Sequence, residues 1–170
     1  METAAIYWEP KIKTYGFSEA VNLSLIELII NMEQISDWGI SIAELANLEI
    51  TFNLVLIQCL KNKRLTIYLL CQRKLEVEIQ KYIRNQIKAD LEESVQVKSP
   101  VELIYFHGPH FGDRNGIVDS AFRVLSSANI PVLVAGCSGA SIHLVLPENG
   151  IIKAKPFLIN VFEVPEFCNT

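Results

Sequence analysis

His107-Gly108-Pro109-His110-Phe111-Gly112-Asp113-Arg114-Asn115-Gly116 runs from an apolar, strand-like segment straight into an amphipathic, helical one, and the rest of the chain is best read outward from it. Three glycines, Gly108, Gly112 and Gly116, fall within these ten residues. Glycine tolerates positive φ and lets another backbone or a ligand approach closely, so a connection this rich in it can turn sharply between two elements. Asp113 or Asn115 stands where a helix cap is expected. The free amides of a helix's first turn are also a seat for an anion such as a carboxylate. On spacing alone, a plain tight turn with a helix cap is the commoner meaning of such a segment.

Downstream, residues 116–128 place Ile117, Ala121, Val124, Leu125 and Ala128 on one helical face. Residues 131–135 and 140–146 read as two strands joined by the turn Gly136-Cys137-Ser138-Gly139. A second apolar helical face covers residues 151–162, where Pro156 should interrupt the helix or start its second part, since proline has no N–H for the preceding turn. Residues 163–167 complete the series as a last strand, and 101–106 begin it.

The same order precedes the loop. Residues 23–31 read as a strand and 32–48 as a helix, with Ser41 placed to cap a turn that holds Glu44. Residues 51–60 and 65–71 form a hairpin across the polar Lys61-Asn62-Lys63-Arg64. Residues 73–93 repeat Leu75, Ile79, Ile83, Ile87 and Leu91 every four positions, the spacing of an amphipathic helix. Residues 94–98 are one more short strand. Two tandem βαββαβ units follow, an α+β class of ferredoxin-like sandwich with helices on one face of each sheet. The boundary is expected near Ser99-Pro100, giving modules 1–98 and 99–170. The aromatic leading stretch, residues 6–17, should add an extra strand or arm.

Half of the 170 residues are hydrophobic and 20% are charged, the composition of a packed domain. The net charge of −4 lacks the clustered basic field that nucleic acid calls for, so no nucleic-acid partner is expected. No apolar run approaches the ~20 residues that span a bilayer, so no membrane partner is expected either. The first ten residues are too polar for a secretory signal, which makes a cytoplasmic location the expectation. The cysteines, at 59, 71, 137 and 168, have no metal or redox spacing, and Cys59 and Cys71 sit in apolar strands as small hydrophobes. His107, His110 and His143 lack carboxylates at a fixed spacing, so no metal or cofactor is expected. Cys137 as a nucleophile would need a spatially close base and a lowered thiol pKa, which the sequence does not supply. Trp8 and Trp38 read as packing residues.

Residues 101–166 resemble an ACT domain, most of all those of the aspartate kinases. The residues that carry the likeness are Gly108-Pro109 after the first strand and Gly116-Ile117 opening a helix that continues through Ala121-Phe122 and Leu125. Beyond them come Ala128-Asn129-Ile130-Pro131-Val132, the hairpin residues 136–141, the strand 142–146 and the terminal Phe162-Glu163-Val164. The first unit resembles the family only in its order of elements. Where the loop should be, it has Asn31-Met32-Glu33-Gln34-Ile35-Ser36-Asp37-Trp38-Gly39. The resemblance implies one ligand-competent module with a degenerate companion, and a small amino-acid-like ligand held at an interface between modules. The implied contacts are Gly108, Pro109, Gly112, Asp113, Asn115, Gly116 and Ile117 from the loop, and Ile130 and Val132 from the second strand. The last loop amides would take the ligand carboxylate and Asp113 its ammonium group. His110 and Arg114 depart from the family's loop, and Arg114 is suited to pair bidentately with a second carboxylate.

The function expected is therefore a non-catalytic, allosteric sensor that works as a homodimer, with any enzyme it regulates on a separate chain. Two other readings stay open. One is a structural or protein-interaction module whose loop binds nothing. The other is a small acylphosphatase-like hydrolase using Arg114 and Asn115 beside the glycine-rich turn, although that family draws its Arg and Asn from separate elements.

Overall fold

The computed structural model describes residues 11–87, 95–109, 111–112 and 115–164. The chain divides into two compact units, Val21–Val101 and the combination of Met1–Ala20 with Glu102–Thr170.

Strand β2 (Phe17–Asn31) leads into the Val21–Val101 unit and is followed by a 3₁₀ turn (Met32–Gln34) and helix α1 (Ile35–Asn47). Strands β3 (Phe52–Cys59) and β4 (Arg64–Gln72), helix α2 (Glu76–Gln86) and the first part of strand β5 (Val95–His107) complete it. The strand order β3-β4-β2-β5 is that of a ferredoxin-like sheet. Its register pairs Leu23 with Gln72 through Asn31 with Arg64, antiparallel. Alternation places Ile26, Leu28 and Ile30 of β2 and Leu65, Ile67, Leu69 and Cys71 of β4 in one core, against Trp38 and Leu45 of α1 and Ile79 and Ile83 of α2. Asn62 and Lys63 both take left-handed φ in the hairpin turn, which suits the twist of the strands that it joins.

Three local expectations are corrected here. Ser41 lies inside α1 and donates to the Asp37 carbonyl at 3.1 Å, and the helical segment instead opens at Asn31, whose amide donates to Gln34 Oε1 at 3.2 Å. α2 ends at Gln86, where Ile87 turns extended; the expected continuation through Leu91 lies outside the described residues. The expected strands 94–98 and 101–106 are not two but one, β5, which runs from Val95 to His107 without interruption at Ser99-Pro100.

The other unit takes the rest of β5, then helix α3 (Ile117–Ser127), strands β6 (Val134–Cys137) and β7 (Ser141–Pro147), helix α4 (Gly150–Val161) and strand β8 (Phe162–Glu163). α4 is continuous through Pro156, at the cost of the single bond that proline cannot donate. Of the expected terminal strand 163–167, Glu163 lies in the two-residue β8, and residues 165–167 lie outside the described residues. β8 pairs in parallel with β1 (Ile12–Lys13), in a separate two-stranded sheet. The place beside β5 that a fourth strand would take belongs to β2, so the order is β2-β5-β7-β6.

The leading stretch thus supplies strands, and it groups with the 102–170 segment instead of with the module that follows it in sequence. Thr14 fixes it twice, its amide and its hydroxyl both donating to the Glu163 carbonyl at 3.0 and 2.9 Å. The Tyr15 amide donates a hydrogen bond to the His107 carbonyl at 2.9 Å. The core of this unit is aromatic at one end. Phe106 and Phe162 meet edge-on at 4.8 Å, with Phe17 at 5.0 Å from Phe106.

Cys71 bears out the small-hydrophobe reading, whereas Cys59, exposed on β3, does not. Cys71 is fully buried, and burial, with the Glu76 carboxylate nearby, pushes its thiol up to about 11. The thiolate is the reactive form, so at pH 8 alkylation of Cys71 should be about 100-fold slower than that of a thiol at its ordinary value. Mass-resolved iodoacetamide labelling should modify the exposed Cys59 and Cys137 while Cys71 stays protected until the chain unfolds.

Candidate ligand site

The loop after β5 is built on one close approach and one special backbone angle. A Cβ on Gly108 would lie 2.2 Å from the Lys13 carbonyl oxygen and 2.6 Å from the Phe111 ring. No side chain fits there. Phe111 turns inward and is buried, edge-on to Phe106 at 6.1 Å and tilted against Phe162 at 6.4 Å, so the middle of the loop is anchored in the core. Gly112 is exposed, and a Cβ there would meet only the Gly139 carbonyl oxygen, at 3.4 Å. Gly116 has φ +82°, a left-handed value that favours glycine, and it is the N-cap of α3.

Asn115 was an expected cap and is not one; the residue in that position is Gly116, which has no side chain to offer. Among the described residues, no side chain accepts from the first-turn amides of α3. α4 is the contrast. The Glu102 carboxylate takes the Asn149 amide on one oxygen at 3.0 Å and the Ile151 amide on the other at 2.8 Å. The unit thus contains one helix start that carries a carboxylate and one that the described residues leave open.

Ile117 is buried beneath the loop with Ala121 and Leu125. Ile130 and Val132 were expected on the second strand, but β6 begins only at Val134. Ile130 is in the core and Val132 packs partly against it, so neither stands on a strand. Pro109 is exposed and Gly108 half-buried at the end of β5. His110, Asp113 and Arg114 lie outside the described residues.

No family model matches the chain, and no curated protein does. Solved structures do. The regulatory subunit of aspartate kinase from Thermus flavus superposes with a TM-score of 0.75 at 12% identity, over 87% of this chain and 97% of that one. The aspartate kinase from Synechocystis gives 0.76 at 15% identity, over 86% of this chain and 26% of that larger one. A C-terminal regulatory domain from Porphyromonas gingivalis gives 0.60 at 13% identity, over 86% and 95%.

The fold is that of an aspartate kinase regulatory subunit. The likeness in fold thus extends beyond residues 101–166 over most of the chain, including the Val21–Val101 unit, where only the order of elements hinted at it. In that unit β2 passes through a 3₁₀ turn into α1 with no glycine-rich connection between them.

Other chemistry can be placed against this fold. Among the described residues no three His, Cys, Asp or Glu gather to hold a metal ion, and no helix is long and apolar enough to cross a membrane. Cys137 stands opposite Ile142 and His143 opposite Gly136, so Cys137 and His143 face opposite sides of the sheet and cannot form a nucleophile–base pair. His143 stacks on Tyr105 at 5.4 Å with the rings 9° apart, and burial lowers its pKa. The unfolded chain then takes up this proton first, so the stability that neutral His143 contributes is complete above about pH 6.5 and lost as the pH falls below it. Urea midpoints should decline less steeply below that pH in His143→Gln.

Sequence reasoning missed Glu102 and Phe111. Glu102 acts 47 residues away, across the strand-to-helix packing, and no local pattern announces it. Phe111 did have a signal, as the one aromatic residue in a loop of glycine and polar side chains.

Proposed function

We propose that this chain is a non-catalytic regulatory protein that binds a small amino-acid-like ligand at the corner ahead of α3, closed over by another ACT-type module. The observation that carries the reading is the start of α3, which no described side chain caps. In the same unit, Glu102 demonstrates how a carboxylate sits on paired amides at a helix start, and α3 has the equivalent amides behind a left-handed glycine, without such a group among the described residues. A ligand carboxylate fits that position, stabilised by the amides and the helix dipole. Gly112 and Gly116 bring no side chains of their own to the approach, and Asp113 and Arg114 are the charged residues that the loop sequence offers for an ammonium group and a second carboxylate.

The partners that go with this reading are a second copy of the chain, as a homodimer, and an enzyme on a separate chain. Regulation would run through linkage: a ligand that binds one pairing of modules better shifts the population toward that pairing. The likeness to regulatory subunits supports this more than it supports a hydrolase or a module that binds nothing.

The test is thermal unfolding of the full chain against a panel of the common amino acids. A ligand at 100 times its Kd should stabilise the protein by about 2.7 kcal/mol. Gly112→Val, whose Cβ meets only an ordinary contact, should keep the fold and weaken that stabilisation at least tenfold in ligand concentration. Absence of any saturable stabilisation across the panel, or turnover of an acyl phosphate, overturns the sensor reading.

A further inference from the structure

A second concavity lies elsewhere in the same unit. A cavity of about 490 Å³, within the usual range of small-molecule sites, opens between the end of α3 and the first turns of α4. Ile130, Pro131, Ile152, Pro156 and Phe157 supply its apolar walls, and Glu148 and Lys153 the charged groups. Ile152 is 74% exposed and Phe157 41%, so two large apolar side chains of the wall face water. Covering such surface is favourable by about 25 cal/mol per Å².

Both sides of the cavity are held in place by the protein itself. At the end of α3, Asn129 takes a left-handed φ of 54°, its amide donating to the Ser126 carbonyl at 3.0 Å, and the Ile130 amide donates to Leu125 at 2.9 Å. At the start of α4, the Glu102 carboxylate pins the Asn149 and Ile151 amides. Pro156 sits inside α4 and has no N–H to return to the Ile152 carbonyl four residues earlier, so that carbonyl lacks its α-helical donor. Among the described residues Glu148 and Lys153 have no ion-pair partner. The cavity thus combines an apolar wall with a cation and a carboxylate that no described residue pairs.

We propose that this cavity binds a small zwitterion with a branched or aromatic side chain, the carboxylate on Lys153, the ammonium on Glu148, and the side chain against Ile152 and Phe157. A ligand lacking either charge leaves one of these groups unpaired, which is the basis for discrimination. The site is separate from the corner ahead of α3 and does not depend on it.

L-Phenylalanine is the probe, titrated into the full chain and followed by equilibrium dialysis and amide NMR shifts, with 3-phenylpropionate and phenethylamine as single-charge controls. Saturable L-phenylalanine binding is expected, with shifts at residues 128–131 and 147–157, and the controls binding at least tenfold more weakly. Ile152→Glu and Lys153→Glu change exposed side chains and should keep the fold while weakening binding at least tenfold. Gly112→Val should leave it unchanged. Binding lost in Gly112→Val but kept in Ile152→Glu overturns this site and favours the corner ahead of α3. No saturation at millimolar ligand also overturns it, as does self-association that Ile152→Glu abolishes without any ligand effect.

Discussion

Phe162→Ala should destabilise its unit by about 3–5 kcal/mol, the usual cost of emptying a fully buried aromatic site. Phe162 has no exposed surface and packs edge-on to Phe106 at 4.8 Å and to Phe17 at 6.5 Å, with Phe111 tilted at 6.4 Å. These four rings come from β2, β5, the loop and β8, so the cavity would be lined by four separate pieces of chain and could not collapse by shifting one element. Native-state hydrogen exchange should show it as a rise of about 10²–10⁴-fold at the most protected amides of β7. Phe162→Leu keeps most of the volume and should cost clearly less. Equal effects from the two variants would mean that the aromatic cluster is not what holds this core.

The second large effect is expected at Gly108. An added methyl would stand 2.2 Å from the Lys13 carbonyl oxygen and within 2.8 Å of two Phe111 ring carbons. The carbonyl belongs to strand β1, which is tied at Ile12 and Lys13 to β8, and Phe111 is anchored among the other rings. Neither neighbour is the free end of a flexible side chain, so relief requires moving backbone. Gly108→Ala should cost about 3 kcal/mol, the upper end of ordinary overpacking. Loss of protection at the Thr14 and Tyr15 amides, which donate to Glu163 and His107, would locate the damage in the leading strand. Gly112→Ala is the internal control, since its one neighbour, at 3.4 Å, permits a methyl. A Gly108→Ala protein as stable as Gly112→Ala would show that the arm does not press on the loop.

The two variants also separate structure from recognition. Gly108 is glycine because β1 lies against it, whereas the exposed Gly112 has only a distant contact to satisfy. Of the two, Gly112 is therefore the position where a change in ligand affinity with unchanged stability reports on binding.

Periodicity was sufficient for the elements themselves. Four-residue repeats of apolar side chains marked α2 and α3, and β-branched runs around Lys61-Asn62-Lys63-Arg64 marked β3 and β4, because helices and strands bury one face at a period that the local sequence must match. The βαββαβ order and the position of the loop followed from that, whereas the ACT-type likeness rested on particular residues, Gly108-Pro109 and Gly116-Ile117 among them. Partner choice followed from neither. Nothing local to Phe17 says that its strand will stand beside β5, or that Phe162 and Glu163 will pair with Ile12 and Lys13 of β1. Those outcomes depend on which of two segments better fills an aromatic core, a competition settled between residues some 145 positions apart. For the same reason Glu102 at the start of α4, and the cavity bounded by Ile130 and Phe157, belong to the tertiary structure alone. Hydrogen bonds and concavities between elements are set by packing, which the period of any one element does not encode.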